Sequence, residues 1–243
     1  MKITILTMFP EMLDSLCKAP IIAHAIAKGI AEIEIIDIKK YAAGSYRDID
    51  DSPYGGGAGM ILRCEPVLKA LNVCQTEHSY TVLSAAAGVP YTQAKAHEYA
   101  KKEHLILICG HYEGIDARIM KHTDESVSIG DYIVSGGEYP AMIIADSIIR
   151  LLDGVIKKQS TEEESFETGL LEYPQYTRPV EYEGESVPEV LLSGDHEKIR
   201  IYRRKESLRM TLKYRPELLS NLELSEEDQR LLDEIRNDQH KMQ

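Results

Sequence analysis

The chain has 243 residues and a formal net charge of −12, from 28 Lys and Arg against 40 Asp and Glu. Hydrophobic residues make up 43% and charged residues 28%, which fits a folded soluble protein with room for a sizeable core. The longest apolar runs, such as Leu105 to Cys109, are far too short to span a bilayer, and on charge alone an acidic surface argues against a nucleic-acid partner.

Lys2 to Met8 alternates polar and apolar residues and reads as a first strand rather than a signal peptide, because no apolar core and cleavage site follow. Glu11 to Lys28 is helix-like. Glu32 to Ile38 repeats the strand pattern through Ile33, Ile35, Ile36 and Ile38. Glu65 to Leu71 reads as a helix, Tyr80 to Ala86 as a strand, Thr92 to Lys102 as a helix and His104 to Cys109 as a strand. Ser126 to Val134 is a further strand candidate, followed by a helix over Pro140 to Leu152. β-Branched content with Gly or Pro flanks favours the strands, and strands alternating with helices imply βαβ units. The expected fold class is α/β with a mostly parallel sheet, over a first domain of residues 1–158.

Residues 159–170 break this pattern. Gln159 to Gly169 reads QSTEEESFETG, with four Glu, no cation and no apolar period, so a flexible acidic linker is expected. Residues 171–243 show no convincing set of strands and read as a small helical domain, with helices over Asp195 to Lys213 and Ser225 to Arg236. Ser225 and Asp228 have the spacing of a capping box, with Asp in place of Glu or Gln, and Leu231, Leu232 and Ile235 form the stripe behind it.

Cys17, Cys64, Cys74 and Cys109 form no C-x-x-C pair and read as reduced structural thiols of a cytoplasmic protein. The histidines are scattered, with no metal-ligand spacing, which argues against a tightly held transition metal. Charge is not spread evenly. Residues 198–215 hold Lys198, Arg200, Arg203, Arg204, Lys205, Arg209, Lys213 and Arg215 against Glu206 alone, a net +7. Two readings stand side by side: a solvated helix face, or a phosphate-gripping surface with Tyr202 and Tyr214 interleaved.

Three glycine-rich stretches could carry chemistry. PYGGGAGM at 53–60 is neither a Walker A loop nor a dinucleotide fingerprint, but it lets backbone approach a ligand closely. CGHYEGID at 109–116 follows a strand directly, where open α/β sheets bind ligands. The third, at 128–138, runs from a strand to a helix start. Two such stretches in one domain favour a small-molecule pocket. Arg150 either pairs with Asp146 on its own helix or serves a site, and the packed charges of Glu162, Glu163 and Glu164 suit either a solvated linker or a general base.

Six ordered motifs are similar to the bacterial tRNA (guanine-N1)-methyltransferase family: FPEM at 9–12, PYGGGAGM at 53–60, CGHYEGID at 109–116, SIGDYIVSGGEYPAM at 128–142, SFETGLLEYPQYTRP at 165–179 and VPEVLLSGDHEKIR at 187–200. The resemblance runs nearly end to end. It implies a trefoil knot of the SPOUT type in the C-terminal part of the α/β domain, and a homodimer with its active sites at the subunit interface. It implies S-adenosylmethionine held against Leu83, Ser84, Gly110, Tyr112 and Glu113, along Ile129, Gly130, Asp131, Tyr132, Ile133 and Val134, and closed in by Gly136, Gly137 and Pro140. The implied reaction is methyl transfer to N1 of guanosine 37 of tRNA, with Arg150 stabilising negative charge and a carboxylate removing the N1 proton. The family's base is an Asp just before the Ser-Phe of the linker; here Glu164 holds that place. The resemblance further implies tRNA contacts at Tyr54, Gly55, Gly56, Gly57 and Gly59 and at Arg178, Arg200, Arg203 and Arg204, and a loosely held Mg²⁺. Ala85, Ala86, Ala87 and Gly88 stand where the family often carries Ser-Pro-Gln-Gly, and Gln175 stands where many members have His.

Overall fold

The computed structural model describes residues 1–44 and 48–241, and the chain divides into two compact units, Met1–Lys157 and Lys158–Gln243. The first unit contains, in chain order, β1 (Lys2–Thr7), α1 (Asp14–Lys18), α2 (Pro20–Ala27), β2 (Glu32–Asp37), β3 (Asp50–Asp51), β4 (Ile61–Leu62), α3 (Cys64–Cys74), β5 (Ser79–Pro90), α4 (Gln93–Ala100), β6 (His104–Ile108), β7 (Glu125–Ser128) and α5 (Glu138–Ile149). Five strands form one sheet in the order β2-β1-β6-β5-β7, and every neighbouring pair is parallel. β3 and β4 pair separately as a short antiparallel ribbon.

Burial of both sheet faces explains why β6 is an unbroken apolar run. Ile3, Ile5, Leu105 and Leu107 pack on one face against Ile22 and Ala25 of α2 and Ile144 and Ile148 of α5. Leu6, Leu83, Ile106 and Ile108 pack on the other against Val67, Ala70 and Leu71 of α3. At the amino end of the sheet, Thr4 donates its hydroxyl proton to Glu34 (3.1 Å) and stands 2.8 Å from His104 Nε2, while Ser79 Oγ stands 2.8 Å from Nδ1. That network suits an imidazole protonated on Nε2 alone, and burial pushes the His104 pKa down, in favour of the neutral form.

Three boundaries differ from expectation. The single helix expected over residues 11–28 is a 3₁₀ turn at Pro10–Leu13 followed by α1 and α2. Pro20 causes the second break, because proline disfavours helical geometry at the preceding residue, and Ala19 has ψ 133°. The strand expected over 126–134 ends at Ser128, and Gly130 turns away with φ +149°. β5 runs on to Pro90, with an irregularity in which Val127 is the partner of both Ser84 and Val89. Gly88 is needed there, since a Cβ would overlap the Val127 backbone.

The second unit contains α6 (Lys158–Thr161), a small hairpin of β8 (Glu181–Tyr182) and β9 (Glu185–Ser186), α7 (Glu189–Leu192), α8 (His196–Tyr214), α9 (Pro216–Leu219) and α10 (Glu226–Lys241). The segment expected to be a linker falls within this unit, and Leu170 is buried with Leu208, Leu231, Leu232 and Ile235 in its core. The hairpin has no counterpart in the sequence pattern; its strands are two residues each, too short to show a period. Among the described residues, no helix is long and apolar enough to cross a membrane.

The capping box forms as its spacing indicates. Ser225 Oγ accepts the Asp228 N–H (3.1 Å), and Asp228 Oδ2 accepts the Ser225 N–H (3.1 Å). Arg204 of α8 then clasps the same carboxylate at 2.7 and 3.0 Å. Arg204 holds Asp228 down at about 2, and Ser225 adds to the effect. Asp228 is nearly buried, so this pair ties the two long helices together rather than facing solvent. A carboxyl with a depressed native pKa contributes stability that is complete above its unfolded value near 4 and is lost as pH falls toward 2. Asp228→Asn should therefore cost the second unit about 2 kcal/mol at neutral pH and flatten its loss of stability between pH 4 and 2, measured by denaturant titration across that range.

Candidate active site

The carboxyl ends of β6 and β7, with the part of β5 just past its pairing with β6, open into a cleft of about 270 Å³. Ser84 comes from β5, Gly110, Tyr112 and Glu113 from the loop after β6, and Ile129, Gly130, Tyr132, Ile133, Val134, Gly136, Gly137 and Pro140 from the segment joining β7 to α5 and the start of that helix. The sequence motifs name all of these. Two others that they name do not line the cleft. Leu83 is 1% exposed and packs in the sheet core beneath Ser84, because alternate residues of a strand face opposite sides. Asp131 is exposed on the segment whose neighbours, Gly130 and Tyr132, do line the wall. Ala85, Ala86, His111, Gly114, Ile115, Ser128 and Ser135 complete the lining, and sequence reasoning misses them. Most fall inside the glycine-rich stretches, so the signal is present at the level of segments.

Backbone contact holds the cleft together. The Gly137 N–H donates to the Gly110 carbonyl at 2.8 Å, and a Cβ on Gly137 would stand 2.6 Å from the Cys109 Cα. Only glycine lets these two segments touch. On the other side, the Glu113 N–H donates to the Met60 carbonyl (3.0 Å), the Leu62 N–H to the Gly114 carbonyl (3.0 Å) and the Asp116 N–H to the Leu62 carbonyl (2.9 Å). This ladder places the end of the 53–60 loop beside the cleft wall. It also holds Tyr112 at φ +61°, a left-handed conformation that a non-glycine residue adopts at a cost of roughly 1–3 kcal/mol. Burial, with Asp50 nearby as a lesser cause, raises the Tyr112 pKa, so the phenol stays protonated at neutral pH. Gly55, Gly56 and Gly57 all have positive φ, and Tyr54 at the loop tip is fully exposed.

Arg150 follows α5 directly, partly buried, with its N–H on the Asp146 carbonyl at 3.1 Å. Glu164 lies in the second unit on a compact turn. The Glu167 N–H donates to the Glu164 carbonyl (3.2 Å), the Phe166 N–H to the Leu170 carbonyl (2.7 Å), and the Glu172 N–H to Ser165 Oγ (2.9 Å). Leu170 anchors that turn in the core. The neighbouring Glu163 accepts the Tyr173 hydroxyl proton at 2.6 Å and stands 3.9 Å from Arg203, whose guanidinium lies 4.8 Å above the Tyr173 ring.

In the structure most cations of the +7 stretch have acidic partners. Lys198 pairs with Asp195, Arg200 with Glu197 and Glu227, Lys205 with Glu234 and Asp238, Arg209 with Glu206, and Arg215 with Glu217. Most of these acids sit outside residues 198–215, so most of the cations that cluster along the chain are matched in space. Arg200, Arg203 and Arg204 line one cavity with His196 and Ser207, and Arg178 and Arg203 line another of about 510 Å³ with Tyr173 and Tyr176. Gly137→Ala should force the two cleft segments apart and cost the first unit about 1–3 kcal/mol, read as a lower midpoint in denaturant.

Comparison with known proteins accounts for both units. Residues 1–221 match the model of the family described as "tRNA (Guanine-1)-methyltransferase TrmD". A protein of Bacillus licheniformis named tRNA (guanine-N(1)-)-methyltransferase is 49% identical over 243 residues, covering 98% of this chain and 100% of its own length. Proteins of the same name from Halalkalibacterium halodurans and Dictyoglomus turgidum are 47% and 45% identical, and each alignment covers at least 98% of both chains. The matched region takes in the cleft, Arg150, Glu164 and the whole of α8, and the chain belongs to the tRNA (guanine-1)-methyltransferase TrmD family of enzymes.

Proposed function

We propose that the protein transfers a methyl group from S-adenosylmethionine to N1 of guanosine 37 in tRNA, acting as a homodimer in the cytoplasm. The observation that carries this reading is the convergence of the family's glycine motifs, 109–116 and 128–142, on one cleft at the carboxyl ends of parallel strands. The lining fits the donor. It exposes backbone edges and the small residues Gly110, Gly136 and Gly137 beside apolar Ile129, Ile133 and Pro140, a combination that can read a purine edge and cover an apolar body. When bound, the donor supplies an electrophilic methyl group on a sulfonium.

The chain's own residues supply the rest. Guanine N1 carries a proton and is a poor nucleophile, so the Glu164 carboxylate accepts that proton. Arg150 offsets the charge that then develops on the guanine O6 side. Glu in place of the family's Asp lengthens the reach by roughly 1.5 Å, a distance that matters in an organised site. The 53–60 loop shapes the place for a guanine taken out of the stack, since its end is bonded to the cleft wall at Glu113. Among the described residues, no three His, Cys, Asp or Glu side chains converge on a metal position, so no residue is assigned to Mg²⁺ and no step runs through it.

Two features support the finer architecture. β7 lies beyond β5, yet the chain after β7 returns over β5, near Ser84, to bond Gly110 after β6, a path compatible with a trefoil knot. Tyr132, Ile133, Tyr139 and Ile143 are 56%, 86%, 44% and 47% exposed around the cleft and α5, an apolar surface suited to a second copy. For tRNA, the exposed pairs of Lys198, Arg200 and Arg215 are worth little in water, so phosphates can replace their acids. Arg204 is different, because its partner is nearly buried.

With purified protein, labelled donor and tRNA transcripts, label should enter a G37 transcript and not an A37 transcript. Glu164→Gln should lower the single-turnover rate by about 10²-fold or more while donor binding is retained; retention of most of the rate would remove Glu164 from the base role. Lys198→Glu with Arg215→Glu should weaken tRNA binding about tenfold and reduce its salt dependence, measured by filter binding over a salt series.

A further inference from the structure

Beneath the cleft lies a carboxylate that the reaction does not use. Glu138 is the first residue of α5 and is 1% exposed. Its Oε1 accepts the hydroxyl proton of Thr7, itself fully buried at the end of β1, at 2.6 Å. Thr7 Oγ1 in turn accepts the Phe9 N–H at 2.9 Å. The second oxygen, Oε2, is buried with no hydrogen-bond partner among the described residues. A buried carboxylate oxygen with nothing to receive is costly, and natural structures rarely leave one without a reason.

The group facing it is His111. A Cβ built on Gly136 would overlap Glu138 Oε2 and stand 2.9 Å from His111 Nε2, so both atoms converge on one point beside the Gly136 backbone. The imidazole is wedged between Phe9 and Tyr112, with ring centroids 4.8 and 5.3 Å away, and it lines the cleft. Its own Nδ1 is buried and unpartnered as well, among the described residues. Two neighbouring groups therefore each hold an unused polar atom, at the place where the 110–113 and 136–137 segments meet. Glycine at 136 is what keeps that place open.

We propose that Glu138 is a positioning residue for the donor cleft. In the donor-bound enzyme its Oε2 accepts the Nε2 proton of His111, which sets the imidazole tautomer and locks the 110–113 segment, with Tyr112 and Glu113, against α5. The carboxylate is fixed from behind by Thr7, so the adjustment falls on the His111 ring. Glu138 acts through His111, outside the lining of the cleft. The proposal rests on the reading of this cleft as the methyl-donor site.

Three measurements on the full-length protein test it, two with S-adenosylhomocysteine and one of steady-state kinetics with S-adenosylmethionine and tRNA. First, calorimetry on the unaltered protein checks that the cleft binds the nucleoside; absence of binding overturns the donor reading itself, and this proposal with it. Second, long-range ¹⁵N–¹H spectra of histidine-labelled protein report the His111 tautomer, with His111→Phe identifying the signal. The expected result is the Nε2–H form in the complex, and a change to the Nδ1–H form in Glu138→Gln, whose amide can donate to Nε2. That variant should raise the KM for the donor about tenfold and leave kcat within roughly twofold, since a weaker neutral bond then holds the 110–113 segment that lines the donor cleft. His111→Phe should raise KM similarly, and the double variant no further. If the donor binds normally and His111 takes the Nδ1–H form, or if Glu138→Gln changes neither tautomer nor KM, Glu138 has no positioning role. Should Glu138→Gln fail to fold, the tautomer in the unaltered protein decides the question.

Discussion

The site depends on one close approach: the backbone of Gly137 lying directly on that of Cys109 and Gly110. β6 sits between β1 and β5, and β7 lies on the far side of β5. The segment leaving β7 must therefore pass over β5, near Ser84, to reach the loop after β6. It can do so only if the crossing segment presents no side chain at residue 137. Gly137 meets that requirement, since a Cβ there would overlap the Cys109 and Gly110 backbone, and the cleft is the space left around this contact. The strained φ of Tyr112 follows from the same arrangement, because the loop after β6 is bonded to the 60–62 segment on its other side and cannot relax.

In the second unit the governing term is electrostatic pairing. Along the chain, residues 198–215 form a basic stretch; in space its cations are shared out among the N-terminal end of α8, Glu206 within it, the 162–164 segment, α9 and α10. These pairs are unequal. Arg204 with Asp228 joins two helices through a nearly buried carboxylate and a helix cap, so its loss leaves a buried charge alone. Arg200 and Lys198 are half or more exposed and contribute little to folding. The same stretch thus contains one cation that holds the unit together and others whose exposed pairs hold it only weakly.

Local chemistry is what the sequence makes legible. Alternating Ile residues place β2, an unbroken apolar run places β6, and Ser225 with Asp228 places the cap of α10. Where distant segments meet is not legible in the same way. The apolar, β-branched pair Ile133 and Val134 suggests that β7 continues through them, but the chain leaves the sheet at Ser128 because Gly130 turns it toward β6. Leu83 and Ser84 look alike as neighbours of the ligand, yet the pleat sends one into the core and the other into the cleft. His111 carries no signal of its own, because its significance lies in Glu138, Thr7 and Gly136, and these come from separate parts of the chain.

In the proposed function the two chemical tasks fall to different units, and that separation has a mechanical consequence. The cleft is shaped by contacts within the first unit, from glycine against backbone to carboxylate against hydroxyl. Glu164 rides on a turn whose position is set inside the second unit, by the Phe166–Leu170 bond and the burial of Leu170. A turn pinned in this way gives the carboxylate little freedom to adjust its own backbone, so its reach is decided by side-chain length. Glu in place of Asp changes that length by a methylene, and the place to look for a compensating change is the anchoring of the turn, at Phe166 and Leu170, rather than the donor cleft.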